Sequence, residues 1–251
     1  MKSEIVFFGD FDREEYRKRD SLRLVYYKTF NDVHKISIDG KSFRKFLPYC
    51  YGIQRPNVLS PSTLSLERHR LLWLYLNNET NFFSEKKKVL HMAPEQCFLK
   101  RFRKLNHNYI TADLYSPIAD VKADITKLPF EDDSFDVVFC NHVLEHIPDD
   151  TKAMQELYRV MKKGGMGIFQ IPQDLNRETT FEDDSITDPK ERAKIFGQYD
   201  HVRVYGRDYF NKLRSIGFKV DEVNYTEKLS AELSDKYRLM KGEVLPVVFK
   251  N

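Results

Sequence analysis

Four polar side chains that could do chemistry follow directly on a short apolar run in the middle of the chain. The segment 134–148, SFDVVFCNHVLEHIP, is apolar through Val137–Cys140 and then turns polar. The polar residues that follow are Asn141, His142, Glu145 and His146. A continuous apolar run is typical of a strand buried on both faces, and open α/β sheets bind ligands just outside the carboxyl ends of such strands. We therefore expect a ligand here, although a buried strand followed by an ordinary amphipathic helix fits this segment equally well.

From Lys88 onward, short apolar runs alternate with helical patterns. Strands are predicted at Val89–Met92, Tyr109–Ala112, Val121–Ala123, Val137–Cys140, Gly167–Ile171, Phe218–Val220 and Leu245–Phe249. Helices are predicted at Phe98–Leu105 and Thr151–Met161, the second capped by the Lys-Lys-Gly-Gly run, with a third ending at Gly217. The segment 173–200 lacks sustained periodicity and is predicted to be a long lid or binding loop. This alternation indicates an α/β fold with a mostly parallel seven-stranded sheet and helices on both faces.

The first 80 residues have a different pattern, which predicts a small N-terminal α+β appendage. Residues 21–60 alternate apolar and polar and are interrupted by Gly and Pro, which indicates short strands and turns. The segment 65–76, SLERHRLLWLYL, has apolar residues at helical spacing and is predicted to be an amphipathic helix. The predicted boundaries are 1–80 for the appendage and 85–251 for the α/β domain.

The composition excludes several classes of protein. With 251 residues, 19 Phe and 14 Tyr, the chain can bury a sizeable core, and a net charge of +3 gives no strong nucleic-acid signal. Cys50, Cys97 and Cys140 are far apart, so neither a disulfide framework nor a CxxC metal pair is expected. The N-terminus does not resemble a signal peptide and no segment is long and apolar enough to span a membrane, so a cytoplasmic location is expected.

Two acids follow the second and third predicted strands. In a nucleotide-binding sheet, an acid about 20 residues beyond the first strand accepts hydrogen bonds from ribose hydroxyls, and Asp113 has this spacing from Met92. A helix N-cap or a surface acid is the more common role for a lone Asp, but its position between an apolar strand and Leu114 favours the ribose. Asp124 can accept from an adenine amino group while Ile125 lies on the ring.

The run 123–172, ADITKLPFEDDSFDVVFCNHVLEHIPDDTKAMQELYRVMKKGGMGIFQIP, resembles the class I S-adenosylmethionine-dependent methyltransferases, in particular those of methyltransferase domain family 11. The resemblance covers about residues 85–250. It implies a Rossmann-like sheet, S-adenosylmethionine as cofactor and S-adenosylhomocysteine as product, with Asn141 and His142 beside the methionine and sulfonium part. The cofactor-binding residues that it implies on these strand ends are Asp113, Leu114, Asp124, Ile125, Asn141, His142 and His146.

The loop after the first strand departs from that family. Most members carry an acid and a glycine-rich turn there, whereas this chain has His91, Met92, Ala93, Pro94 and Glu95. Glycine lets a backbone approach a ligand closely and reach positive φ, and Pro94 fixes φ and removes a donor. We expect these five residues to hold the methionine end in another way, with Glu95 a candidate for the ammonium group. The alternative is a site that no longer binds the cofactor.

The HxAPE loop and the SLERHRLLWLYL segment together are similar to a narrower bacterial group. Its members often carry a small zinc-binding unit, with CxxCG in front and CPxC just before that segment. The corresponding positions here read ISIDG (36–40) and SPST (60–63), so all four cysteines are replaced. A structural zinc site needs its full ligand set. We therefore predict no metal, and an N-terminal unit held together by packing.

A further cluster of candidate residues follows the long loop, in the stretch 198–206, QYDHVRVYG. His201 has an acid before it and Arg203 two residues on, and could deprotonate and position a hydroxyl substrate. Tyr205 in this stretch and Glu182 in the loop are further candidates for substrate binding. A helix-entry segment with His201 buried and hydrogen-bonded fits the stretch equally well.

Together these features predict an enzyme that transfers a methyl group from S-adenosylmethionine to a small-molecule or glycan-like acceptor, with oxygen as the expected acceptor atom. An in-line displacement depends mainly on positioning. A base is needed only if the acceptor must lose a proton, and His201 is the first candidate for it and His142 the second. Two other classes stay open: an RNA or protein methyltransferase, and a non-catalytic module that binds the cofactor or its product.

Overall fold

The computed structural model describes residues 35–51, 53–105 and 108–251. The predictions for residues 1–34 lie outside these ranges. The chain divides into two compact units. The first unit comprises the described part of Met1–Ser84 together with Glu95–Arg101 and Asn224–Glu243. The second unit comprises Glu85–Pro94, Phe102–Val223 and Val244–Asn251. One break between the units lies after Ser84, and the two later segments of the first unit fall within the range 85–251 that the sequence analysis assigned to the α/β domain. The predicted domain boundaries stay a prediction.

The helices lie mostly close to their predicted positions. In chain order they are α1 (Glu67–Glu79), α2 (Gln96–Phe102), α3 (Asp150–Val160), α4 (Pro189–Phe196), α5 (Tyr209–Ile216) and α6 (Ala231–Lys236). Two short 3-10 helices cover Leu144–His146 and Tyr225–Lys228. Within the residues that the structure describes, no helix is long and apolar enough to cross a membrane.

Two antiparallel hairpins open the described part of the first unit, in agreement with the predicted short strands and turns. Their strands are β1 (Lys35–Ile36) with β2 (Ser42–Phe43), and β3 (Leu47–Tyr51) with β4 (Ile53–Leu59). A small apolar core beneath them contains Leu47, Val58, Leu59 and Leu66. Burial of these side chains stabilises the unit without a large sheet.

Buried hydroxyl groups join the segments to which the resemblance assigns four cysteines. Ser60 Oγ donates to Ser37 Oγ at 2.7 Å, and the hydroxyls of Ser37 and Thr63 are 2.8 Å apart. Ser62 Oγ donates to Asp39 Oδ1 at 3.0 Å. The hydroxyls of Ser60 and Ser62 lie 3.4 Å apart and link these contacts. Three of the four cysteine positions, Asp39, Ser60 and Thr63, therefore belong to one network in which the buried polar atoms hydrogen-bond to one another.

Arg70 on α1 is fully buried and ties the late segment of the chain to the first unit. Its guanidinium donates to the carbonyls of Ser65 and Tyr237 and lies 4.6 Å from the centroid of the Phe46 ring. Burial lowers the pKa of Arg70 to about 9. Because a buried guanidinium without partners is very costly, these contacts explain why residues beyond Asn224 pack with α1.

Glu243 gives the first unit a pH dependence that can be measured. Burial raises the pKa of this carboxyl to about 7, against the opposing charge of Arg68. Between about pH 4.5 and pH 7, the carboxyl is protonated in the folded chain and ionised in the unfolded chain. The free energy of unfolding therefore falls as pH rises through this range. We expect Glu243→Gln to be about 3 kcal/mol more stable than the unaltered chain at pH 8 and equal to it near pH 4, as measured by urea unfolding. Glu227→Gln, at an exposed position, is the control, and the same pH profile in both variants would contradict the expectation.

The second unit is built on a seven-stranded sheet, which confirms the predicted α/β fold. Its strands are β5 (Lys88–Met92), β6 (Asn108–Asp113), β7 (Val121–Lys122), β8 (Phe135–Cys140), β9 (Met161–Ile168), β12 (Phe218–Val223) and β13 (Leu245–Lys250). The order is β12-β13-β9-β8-β5-β6-β7. Pairing is parallel from β7 to β9, and β13 is antiparallel to both of its neighbours. The apolar runs of β5 and β8 are buried at the centre, as a parallel sheet requires.

The end of α3 differs from its prediction. The helix stops at Val160 and β9 begins at Met161, so the Lys-Lys-Gly-Gly run lies in the strand and does not cap the helix. The reason is a long-range contact. Because Met161 pairs with Phe135 of β8, the backbone adopts the strand conformation directly after the helix. Gly165 fits this pairing because a Cβ there would lie 2.8 Å from the Lys162 carbonyl oxygen.

The segment 173–200, predicted as a long lid or binding loop, contains secondary structure that the sequence pattern did not indicate. It contains the strand β10 (Phe181–Glu182) and the helix α4. The strand β10 pairs with β11 (Arg203–Val204), which lies just beyond the segment. Asp188 caps α4 by accepting from the backbone of Lys190 and Glu191, and a proline opens the helix. An Asp N-cap followed by Pro at the first helical position is a common start of a helix. This signal is present in the sequence, but the segment has no sustained hydrophobic periodicity to support a helix prediction.

Candidate functional site

The carboxyl ends of three neighbouring strands bring the predicted residues to one edge of the sheet. Met92 at the end of β5 pairs with Ala112 of β6 on one side and with Cys140 of β8 on the other. The residues that follow, including Asp113 and Asn141, therefore emerge side by side. The parallel pairing predicted from the sequence is what creates this edge.

Ala93 makes the turn for which glycine was expected. Its φ is +45°, a left-handed conformation that non-glycine residues adopt only at a cost of about 1 kcal/mol, and its N–H donates to the Ala112 carbonyl at 2.9 Å. The small methyl group keeps the turn open. The loop therefore has a backbone conformation of the kind glycine permits, although it contains no glycine.

Two residues of the same loop have side chains that serve packing. His91 and Met92 are buried, and His91 Nδ1 lies 2.7 Å from the Tyr109 hydroxyl, with the rings of Phe102 and Phe139 around it. A direct role in binding for these two side chains stays a prediction.

Asp113 and Asp124 have the same local arrangement. In Asp113, Oδ1 accepts from the backbone of Tyr115 and Ser116 at 2.7 and 2.6 Å. In Asp124, Oδ1 accepts from the backbone and the hydroxyl of Thr126, both at 2.8 Å. Each Oδ2 has no partner among the residues that the structure describes. Each turn thus holds its carboxylate in place and leaves one oxygen for a ligand, as a nucleoside site requires.

The apolar neighbours of these acids line the same edge. Ile125 is buried and belongs to the main core, while Leu114, next to Asp113, is partly exposed. An apolar surface beside a carboxylate acceptor suits a flat ring that carries an amino group.

The end of β8 is tied to the end of β9 by Gln170. Its carbonyl accepts from the His142 backbone at 2.7 Å, and its N–H donates to Asn141 Oδ1 at 3.3 Å. His142 has a φ of +54°, so its side chain leaves the strand abruptly. Gln170 was not predicted as a site residue, and the available signal was its position as a polar residue after the apolar pair Ile168–Phe169 at the end of β9.

His142 and Glu145 form a histidine–carboxylate pair. Glu145 Oε1 lies 3.3 Å from His142 Nδ1, and the carboxylate is only 1% exposed while the imidazole is 30% exposed. Burial would raise the pKa of Glu145, but the hydrogen bond to His142 and the nearby imidazoles outweigh it and lower the pKa. The carboxylate is therefore ionised and orients the ring.

The rings of His146 and His201 pack edge to face, with their centroids 4.7 Å apart. Each ring contacts a different polar partner. His146 Nδ1 lies 3.3 Å from Asp200 Oδ2, and His201 Nδ1 lies 3.0 Å from the Phe196 carbonyl. Burial would lower the pKa of His146, but the carboxylates of Asp200 and Glu145 outweigh burial and raise this pKa. Burial lowers the pKa of His201. This contact places His201 beside the 3-10 helix that follows β8, which the sequence did not predict, and its role as a base stays a prediction.

Arg203 lies in a buried network beneath the site. Its guanidinium donates to Glu182 at 2.8 Å and lies 3.7 Å from Asp150. It also donates to carbonyls of the segment that carries the 3-10 helix, namely those of Leu144, Ile147 and Pro148. Tyr205, fully buried, donates its hydroxyl to Asp150 at 2.7 Å. Burial would raise the pKa of Asp150, but Tyr205 and the two cations around it keep it below its usual range. The network positions the segment after β8, and substrate contact by its members stays a prediction.

Glu95 belongs to the first unit, where it contacts His69 of α1. Glu95 Oε1 lies 3.0 Å from His69 Nε2. The Leu66 backbone donates to His69 Nδ1, so the ring hydrogen is on Nε2 and faces the carboxylate. This contact joins the HxAPE loop to the SLERHRLL segment, two motifs that the sequence analysis could only connect by resemblance.

Comparison with known proteins shows similarity over part of the chain. Residues 76–169 match the family model described as "Methyltransferase domain". The matched segment runs from α1 into Phe169 after β9 and contains Asp113, Asp124 and Asn141. Over this segment, which is less than half of the chain, the match agrees with the predicted resemblance to methyltransferases.

Short stretches of the chain are similar to curated methyltransferases. The chain is 48% identical over 48 residues to the sterol 4-C-methyltransferase of Caenorhabditis elegans, which is 19% of this chain and 14% of that protein. It is 52% identical over 42 residues to the demethylmenaquinone methyltransferase of Streptomyces avermitilis, which is 17% of this chain and 18% of that protein. The chain thus matches less than a fifth of the length of these relatives.

A solved structure is similar to this chain at low sequence identity. The 1,6-didemethyltoxoflavin-N1-methyltransferase of Burkholderia thailandensis, determined with 1,6-didemethyltoxoflavin and S-adenosylhomocysteine bound, is 12% identical with a TM-score of 0.48. The match covers 74% of this chain and 78% of that one.

Proposed function

We propose that this protein transfers the methyl group of S-adenosylmethionine to a hydroxyl oxygen of a small-molecule acceptor. The observation that carries the proposal is the pair of acids at the sheet edge. Asp113 and Asp124 each fix one carboxylate oxygen in a turn and keep the other without a partner among the described residues. The curated relatives, whose names specify a sterol and demethylmenaquinone, support a small-molecule acceptor.

The nucleoside part of the cofactor fits the acidic turns. Asp113 Oδ2 would accept from the ribose hydroxyls, with Leu114 beside it. Asp124 Oδ2 would accept from the adenine amino group, with Ile125 against the ring. The positive φ of Ala93 supports close approach of the first loop to the ligand. When bound, S-adenosylmethionine supplies an activated methyl group on a sulfonium.

The methionine part would be held at the ends of β8 and β9. Asn141 and Gln170 are buried there, and both carry amide groups that can bind an ammonium or a carboxylate. Because the Glu95 carboxylate faces His69, we infer that Glu95 shapes the loop, and that the ammonium is bound by these amides and by the carbonyls of the Ala93–Pro94 turn.

For an acceptor that must lose a proton, we propose His142 as the base. The sequence favoured His201, but His201 is 8% exposed and turns Nδ1 to a carbonyl, whereas His142 is partly exposed and is oriented by Glu145. A base has to reach the proton that it removes. His142 meets this condition better than His201.

The test is transfer of labelled methyl groups to a panel of small hydroxylated acceptors. His142→Gln is expected to lower kcat by about 10²- to 10⁴-fold, the usual contribution of a general base, with affinity for S-adenosylhomocysteine nearly unchanged. Unimpaired turnover in His142→Gln would remove this residue from the mechanism. Binding of the cofactor product without transfer to any acceptor would favour the non-catalytic alternative, and labelling of RNA or protein would favour the macromolecular one.

We further infer that the first unit is a metal-free counterpart of the zinc-binding unit found in the narrower bacterial group. The hydroxyl network around Ser37, Ser60 and Thr63 supports this assignment, because it joins the segments that the zinc would otherwise join.

A further inference from the structure

Three side chains near the end of β8 place possible metal ligands close together. One ligand atom from each of Glu145, His146 and His201 lies within 4.8 Å of the other two. Atoms bound at about 2.1 Å to a tetrahedral ion are about 3.4 Å apart, so small side-chain rotations would bring them onto one ion. The sequence pattern did not predict this cluster, because His201 is distant in the chain from the other two.

The backbone fixes these residues relative to one another. The Val202 N–H donates to the Glu145 carbonyl at 3.0 Å, which anchors the segment that contains His201. Arg203 donates to the carbonyls of Leu144 and Ile147 on either side of the Glu145–His146 pair. The cluster is therefore built on a supported frame.

The Glu145 carboxylate has an oxygen that a ligand would satisfy. The side chain is 1% exposed, and Oε1 faces His142. Oε2 is buried and has no hydrogen-bond partner within the described residues. A buried carboxylate oxygen without a partner is costly, and a bound cation would remove that cost.

The two imidazoles are oriented as metal ligands usually are. A carbonyl only accepts, so His201 Nδ1 carries the hydrogen that is donated to Phe196 and its lone pair is on Nε2. His146 Nδ1 faces the Asp200 carboxylate, which leaves Nε2 as its remaining ligand atom. Histidine ligands typically donate their other ring N–H to a carbonyl or a carboxylate in this way.

From this geometry we propose that Glu145, His146 and His201 bind a divalent transition-metal ion such as Zn²⁺. Two imidazole nitrogens and one carboxylate oxygen suit such ions, and three protein ligands leave a coordination position open for water or another oxygen ligand. The His146 side chain is 27% exposed, which gives an ion a path from solvent. The proposal replaces the prediction from sequence that the chain binds no metal, and it does not depend on the proposed methyl transfer.

The test is metal binding by the full chain after treatment with a chelator. We expect one Co²⁺ per chain with the visible absorption of a low-symmetry site, displaced by Zn²⁺. Glu145→Gln and His201→Gln should each weaken Zn²⁺ binding by about 100-fold or more, in competition with a chromophoric chelator. Glu178→Gln, at a glutamate that is 82% exposed, is the matched control and should bind as the unaltered chain does.

Two results would overturn the proposal. One is the absence of Co²⁺ absorption and of saturable Zn²⁺ binding in the folded, unaltered chain. The other is unchanged Zn²⁺ affinity in His146→Gln, whose partly exposed position makes misfolding a small risk, and in Glu145→Gln. Titration of the unaltered chain with S-adenosylhomocysteine, before and after chelator treatment, separates this outcome from failure of the proposed function, because cofactor binding should persist when the metal is removed.

Discussion

Replacement of Asp113 by alanine is expected to weaken binding of S-adenosylhomocysteine by about 100-fold. Two hydrogen bonds to a charged acceptor contribute about 1.5 kcal/mol each, and about 3 kcal/mol corresponds to that factor. The substitution also removes the acceptor for the Tyr115 and Ser116 backbones, which fixes the turn beside the nucleoside. Isothermal titration calorimetry of both proteins measures the difference.

Asp183→Ala is the matched control for this substitution. Asp183 forms the same kind of turn, accepting from the backbone and the hydroxyl of Ser185 at 2.9 and 2.6 Å, in the segment before α4. Its loss should leave the affinity for S-adenosylhomocysteine unchanged. Equal affinity in Asp113→Ala and the unaltered chain would refute the ribose assignment.

Replacement of Arg203 by leucine is expected to destabilise the second unit by about 3–5 kcal/mol, the range for breaking a buried ion pair. The guanidinium is 3% exposed and contacts Glu182 and Asp150. Without it, Asp150 keeps Tyr205, Lys212 and the more distant Thr151 hydroxyl as partners among the described residues, and three carbonyls around the 3-10 helix lose their donor. Urea unfolding, followed by circular dichroism, measures the loss.

Arg203→Lys separates charge from geometry in this network. A lysine keeps the charge but cannot replace a planar group that binds several acceptors at once, so we expect it to recover only a minor part of the lost stability. Arg207→Leu, at an exposed arginine, is the control and should cost little. If Arg203→Leu were as stable as Arg207→Leu, the network would not hold the segment after β8 in place.

The sequence predicted the sheet edge well because local pattern determines it. Apolar runs at Val89–Met92 and Val137–Cys140 are typical of buried strands, and parallel pairing then places Asp113, Asp124 and Asn141 at one edge of the sheet. The end of α5 at Gly217, which has the left-handed conformation that glycine permits, likewise depends on neighbouring residues alone. These features depend on a few neighbouring residues and on general rules of strand order.

Other features depend on contacts between residues that are distant in the chain, and the sequence could not predict them. The end of α3 is set by the pairing of Met161 with Phe135. The partners of Glu95 and Arg203 come from other elements, so side chains expected to bind ligands are engaged with His69 and with backbone carbonyls. The left-handed φ of Ala93 has no signature in residue type.

The most direct test of the central claim is calorimetric titration of the unaltered chain with S-adenosylhomocysteine. We predict one binding site per chain with a Kd in the range of about 1–100 μM, equivalent to about 5.5–8 kcal/mol of binding free energy. A folded protein that shows no saturable binding at millimolar ligand would contradict the claim that this sheet edge is a cofactor site.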